Sequence, residues 1–150
     1  MSILRNLCAA ALVLIPLLSF AADGLVSVKS PRNAKETMDR LEDIVKQRGL
    51  TVFARIDHAA GATKIGKMLR PTEVLIFGNP QGGTPLMECA QSAGIDLPIK
   101  ALVWEDAAGQ TWLGYNDAVY LAKRHGAPDC AAAGNINKAL SGIADAVIAK

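Results

Sequence analysis

The chain has 150 residues, 51% of them apolar, with sixteen basic and fourteen acidic side chains. That length suits one domain with a real core, and a formal charge of +2 leaves no electrostatic footprint for nucleic acid or anionic lipid. No low-complexity run and no internal repeat interrupts it.

The first residues read as a leader. Arg5 supplies a positive charge, Leu7 to Phe20 form an unbroken apolar run, and "SFAADG" follows. Cleavage after Ala21 puts Ser19 and Ala21 at the small-residue recognition positions. The apolar run falls short of the ~20 residues needed to span a bilayer. Residues 1–21 are therefore expected to be a signal peptide, and removing 21 of 150 leaves a single mature domain of 129, residues 22–150. The expected location is the periplasm, or outside the cell. Cys8 stands before the apolar run, where a lipid-attachment cysteine would stand after it. Cys8 leaves with the leader; Cys89 and Cys130 remain, an even number in an oxidising space. Two readings stay open for them, a disulfide or a buried thiol at Cys89 acting as a small apolar residue. No later stretch is long and apolar enough to be a membrane helix.

"LVSVK" from Leu25 predicts a short strand. Ser30 and Pro31 predict the N-cap and first position of a helix carrying Met38, Leu41 and Val45, closed by Gly49. "TVFARID" alternates, with Val52, Ala54 and Ile56 on one face. Asp57 can cap a short helix bearing Ile65, Met68 and Leu69, weakened by Gly61 and Gly66. Arg70-Pro71 then breaks the chain. "EVLIFGN" is continuously apolar, as expected of a strand covered on both faces. Thr84-Pro85 offers a second N-cap pair, for a helix with Leu86, Cys89, Ala90 and Ala93 on one face, ended by Gly94. "IKALVWED" and "QTWLGY" flank a turn with Gly109 left-handed, which sets Trp104 opposite Trp112 and Leu102 opposite Gly114. A helix from Asp117 to His125 stops at Gly126, and the last helix carries Ile136, Leu140, Ile143 and Val147. The order predicts an α+β domain, helices packed on a curved, mainly antiparallel sheet.

"GLTVFARIDHAAGA", "LRPTEVLIFGNPQGGTPLM", "AGIDLPIKALVWEDAAGQTWLGYND" and "RHG" closely resemble the bacterial domain-of-unknown-function family 302, from about Leu25 to about Gly126. The resemblance implies a TATA-binding-protein-like α+β arrangement, often dimeric. It implies no activity, and a shared fold does not transfer DNA binding.

Six residues are candidates for ligand contact: His58, Arg70, Glu73, Asn79, Trp104 and Trp112. His58 ends the alternating strand or enters the first turn of a helix capped by Asp57. It is read as a structural histidine or, alternatively, as a general acid/base with Arg70 and Glu73 near; an ion pair between Arg70 and Glu73 is the plainer reading of those two. Asn79 opens "NPQGG", a turn between strand and helix that lacks both the Walker lysine and the dinucleotide spacing. His125 suits a helix terminus, and two histidines without ligand spacing give no metal site. No nucleophile motif and no cofactor motif is present, so a non-enzymatic domain is favoured over a small periplasmic enzyme built on His58. The hairpin has two apolar faces, and helices are expected to cover only one completely. The aromatic pair Trp104–Trp112 is therefore expected to meet a second copy or line a ligand cavity.

Overall fold

The computed structural model describes residues 23–150, so the expected leader and Cys8 lie outside the described residues. Five strands, β1 (Leu25–Lys29), β2 (Thr51–Asp57), β3 (Thr72–Gly78), β4 (Ile99–Glu105) and β5 (Thr111–Asn116), pair antiparallel throughout in the order β1-β5-β4-β3-β2. Helices α1 (Ala34–Gln47), α2 (His58–Lys64), α3 (Pro80–Cys89), α4 (Ala118–Arg124) and α5 (Ala131–Ile148) connect and follow them, with a 3-10 turn at Gln91–Ile95. This is an α+β fold on an open antiparallel sheet.

α1 and α5 cover one face. Met38, Leu41 and Val45 of α1 and Leu140, Ile143 and Val147 of α5 are buried against Leu75, Phe77, Ala101, Val103 and Leu113. The helical stripe at three- and four-residue spacing meets the alternate residues of the strands, as the two periods require. α1 begins later than Ser30-Pro31 suggests, because Asn33 is the N-cap, accepting from the Glu36 amide at 2.9 Å. Ser30 is buried instead, its hydroxyl 2.7 Å from that of Thr37.

A β-bulge between Val52 and Ala54 changes the expected face assignment of β2. Val52 joins the covered core beside Phe77, while Ala54 and Ile56 pair with Ile76 and Val74 on the opposite face. A bulge adds one residue to one strand and so reverses the faces beyond it. Arg55 is thereby placed beneath α1, where its guanidinium donates to Asp39 at 2.7 Å, Glu42 at 3.3 Å and Glu73 at 2.6 Å. Lys35 and then Arg55 hold the Asp39 carboxyl below its usual range; Lys46 and Arg55 do the same for Glu42.

The apolar run of β3 reflects a core face and a second apolar face that α1 and α5 leave uncovered; the short α2 also touches β3. α3 packs toward α5 rather than across the sheet, in a small second core of Leu86, Ala93, Ala118, Ala122, Cys130 and Ala133. α3 also starts five residues before the expected Pro85. Asn79 is its N-cap, accepting from the Gly82 amide at 2.8 Å, with Pro80 next and Pro85 inside the helix. Cys89, the last residue of α3, and Cys130, the N-cap of α5, stand in disulfide geometry across 41 positions of sequence.

Candidate functional site

Two features stand out on this frame, an open sheet face and a cleft. The outer face is built in rows. Ser27, Gly114, Leu102, Val74 and Ile56 form the middle row across all five strands, and Lys29, Trp112, Trp104 and Thr72 flank it. The indole rings of Trp104 and Trp112 stack with centroids 6.2 Å apart and planes 14° from parallel. A β-carbon at Gly114 would lie 2.9 Å from the Trp104 ring, so the glycine is what lets that ring lie flat on β5. Lys29 sits 5.4 Å above the Trp112 ring. The Trp112 indole donates to Asp106 at 2.8 Å, and this bond, with the Gln110 and Ala108 amides, lowers the Asp106 pKa. The expected hairpin register is observed: Asp106 bonds Gln110, and Gly109 has φ of +78°. In the loop between α2 and β3, Ile65, Met68 and Leu69 are all exposed. They were expected on a helix, but α2 ends at Lys64 and Gly66 turns left-handed at φ +70°.

The cleft lies at the other end of the sheet, with a volume of about 650 Å³. Its floor is the end of β3 and start of β4, Phe77, Gly78 and Ile99; one wall is α3 and the other is α5. Along α5 the lining residues are Ala132, Asn135, Ile136, Ala139, Leu140 and Ile143, one stripe of a helix. Glycines 78, 82, 83 and 94 line it where side chains would narrow it. Not one of the lining residues carries a charge, and the polar side chains are Asn79, Gln81, Thr84 and Asn135.

Of the six sequence candidates, the cleft collects Asn79, and the open face collects Trp104 and Trp112. His58 is exposed in the first turn of α2, whose N-cap Asp57 accepts from Ala60 at 2.8 Å. Glu73 is taken by Arg55, not by Arg70, and Arg70 donates to the Glu105 carbonyl at 3.2 Å. The three do not share hydrogen bonds. A second cluster was missed: His125 Nε2 lies 2.7 Å from Asp96, its Nδ1 lies 3.0 Å from Ser92 Oγ, and Arg124 also donates to Asp96. It ties the end of α4 to the 3-10 turn. Among the described residues no group of three or more His, Cys, Asp or Glu is arranged to hold a metal.

Residues 26–147 match the model of DUF302, a domain of unknown function. The chain belongs to this family. A DUF302 crystal structure from Bacillus stearothermophilus, of an uncharacterized conserved protein, superposes with a TM-score of 0.76 at 25% identity, over 84% of this chain and 99% of that one. Among curated proteins, one from Brucella suis, named fluoride-specific ion channel FluC 1, is 49% identical over 110 residues, covering 73% of this chain and 43% of that protein. A Brucella melitensis protein named FluC 2 matches at the same identity over 41% of its length. The chain thus spans less than half the length of the curated relatives it matches. No helix among the described residues of this DUF302 chain is long and apolar enough to cross a membrane.

Proposed function

We propose that this DUF302 chain is an exported, non-enzymatic binding domain that takes a small ligand in the α3–α5 cleft and works as a homodimer through its open sheet face. The observation that carries the reading is the cleft itself. At about 650 Å³ it is in the range of small-molecule sites, which are mostly apolar with a few polar groups to orient the ligand. Export is supported by the leader-like first residues and by the Cys89–Cys130 pair, which an oxidising compartment would keep joined. The enzyme alternative draws little support: Glu73 is bonded to Arg55, Arg70 to the Glu105 carbonyl, and no hydrogen bond joins His58 to either.

The dimer reading rests on area and chemistry. Five strands at ~4.8 Å spacing and about six residues at ~3.4 Å give a footprint of roughly 480 Å², which two copies double to about the lower limit of a specific interface. Light scattering should return a dimer, and Leu102→Glu, at the centre of the middle row, should give a monomer with unchanged helix content. A wild-type monomer at high concentration, with both indoles open to quencher, would remove the dimer.

A second reading follows from the curated relatives. In them the matched region belongs to a protein named for fluoride conduction, so the domain would serve beside a membrane channel. Deleting this chain's gene should then raise sensitivity to fluoride; unchanged growth across fluoride concentrations would discard the reading.

A further inference from the structure

We infer that the cleft holds a long, unbranched hydrocarbon chain carrying an uncharged head group. The inference rests on the ligand-binding reading above and specifies its ligand. Three observations carry it.

The first is charge. A ligand that buries an ionised group needs a paired charge or several hydrogen bonds to offset its desolvation. No lining residue of this cleft is ionisable to a charge at neutral pH, so it has no counter-ion to offer. The N-terminus of α3 is a poor substitute: its Gly82 and Gly83 amides are already bonded to Asn79 and Pro80 has no amide hydrogen, which leaves the Gln81 amide, too few donors to offset a buried charge. An anionic or cationic head is disfavoured; a hydroxyl, ester or amide is not.

The second is shape. The α5 stripe from Ala132 to Ile143 spans eleven helical steps, which at 1.5 Å each is ~16 Å. Carbon–carbon bonds of ~1.5 Å advance roughly 1.25 Å each along an extended chain, so this wall matches about 13 carbons. The apolar contacts run the length of it, through Ile136, Leu140 and Ile143 on one side and Phe77, Met87 and Leu97 on the others.

The third is where the polar groups lie. Asn79, Gln81 and Thr84 cluster at the first turns of α3, with Asn135 the polar exception on α5. Pro85 has no amide hydrogen, so the Gln81 carbonyl lacks the helical donor it would have received from that position. The Asn79 side chain spends its oxygen on Gly82, which leaves its NH₂ to donate. A small head with both a donor and an acceptor can use this set; a bare alkane cannot.

The test is a binding series on the exported chain with 1-alkanols and monoacylglycerols of 8 to 18 carbons, each below its micelle concentration. Affinity should tighten about fourfold per added methylene, the equivalent of ~0.8 kcal/mol of burial. It should level off near 13 carbons. The matching fatty carboxylates at pH 8 should bind at least tenfold more weakly. Ala139→Trp places an indole in the cleft from an exposed helix position and should weaken every member tenfold or more, with the circular dichroism unchanged. Phosphatidylcholine vesicles with and without diacylglycerol, whose head is an uncharged hydroxyl, form a separate arm: binding that needs the diacylglycerol and shows the same sensitivity to Ala139→Trp would assign the chain to a membrane lipid, and binding of the soluble series alone to a free amphiphile. No dependence on chain length, or carboxylates bound as tightly as alcohols, would overturn the inference. If Ala139→Trp nonetheless displaced a polar molecule retained by the wild type, the cleft would stand as a site and only the ligand class would fall. One-to-one binding of alkyl probes indifferent to Ala139→Trp would remove the cleft itself.

Discussion

Replacing Cys89 and Cys130 together with alanine should lower stability by about 4 kcal/mol, the chain-entropy value for a loop closed across 41 positions. The effect should be near the top of the usual range because little else anchors α3. Its first six residues are Pro, Gln, Gly, Gly, Thr and Pro, and Leu86 is its one fully buried side chain. The core behind it is otherwise built of alanines 93, 118, 122 and 133, which bury little apolar area each. Urea unfolding gives the magnitude. Hydrogen exchange gives the place, since α3 amides should lose protection before those of α1 or the sheet. Unreduced wild-type protein unfolded in denaturant should present no free thiol, and two alkylatable thiols would refute the bridge.

Phe77→Ala should lower stability by about 3–5 kcal/mol, the range for removing a buried aromatic ring. Phe77 is 2% exposed and belongs both to the core under α1 and to the cleft floor. Losing the ring opens a void between β3 and the helices that neighbouring rigid strands cannot close. Phe77→Leu keeps most of the volume and should stay within about 1.5 kcal/mol. Denaturant midpoints of the two variants check both figures, and an alanine cost below 1 kcal/mol would mean that the ring is not packed as described.

What the sequence revealed depended on how local its signals were. The hairpin register was legible because one left-handed glycine, Gly109, fixes the loop and therefore every pair from Glu105–Thr111 to Ala101–Tyr115. The stripe on α5 and the cap at Asp57 were legible for the same reason, whereas Asp117, read as the first residue of α4, is its N-cap. The bulge at β2 was not, since an inserted residue leaves the alternation of "TVFARID" intact to the eye while moving Val52 to the other face. The start of α3 was misread between two equivalent signals, Asn79-Pro80 and Thr84-Pro85, and the earlier one nucleates the helix. The cleft was nearly invisible. Its walls come from four separate segments, and its residues are glycines, prolines and aliphatics that carry no chemical mark. Asn79 entered the candidate set only as part of a glycine-rich turn. The open face was anticipated, because two apolar faces on one hairpin demand two covers, and α3 packs on α5 instead of providing the second.

If cleft and sheet face act separately, one on a ligand and one on a second copy, disabling either should spare the other. Native mass spectra of Leu102→Glu and Ala139→Trp, exported and purified side by side, test it most directly. Leu102→Glu should give a monomer that keeps its small molecule, and Ala139→Trp a dimer that has lost it. The opposite pattern, with the ligand lost on breaking the dimer and retained when the cleft is filled, would contradict it.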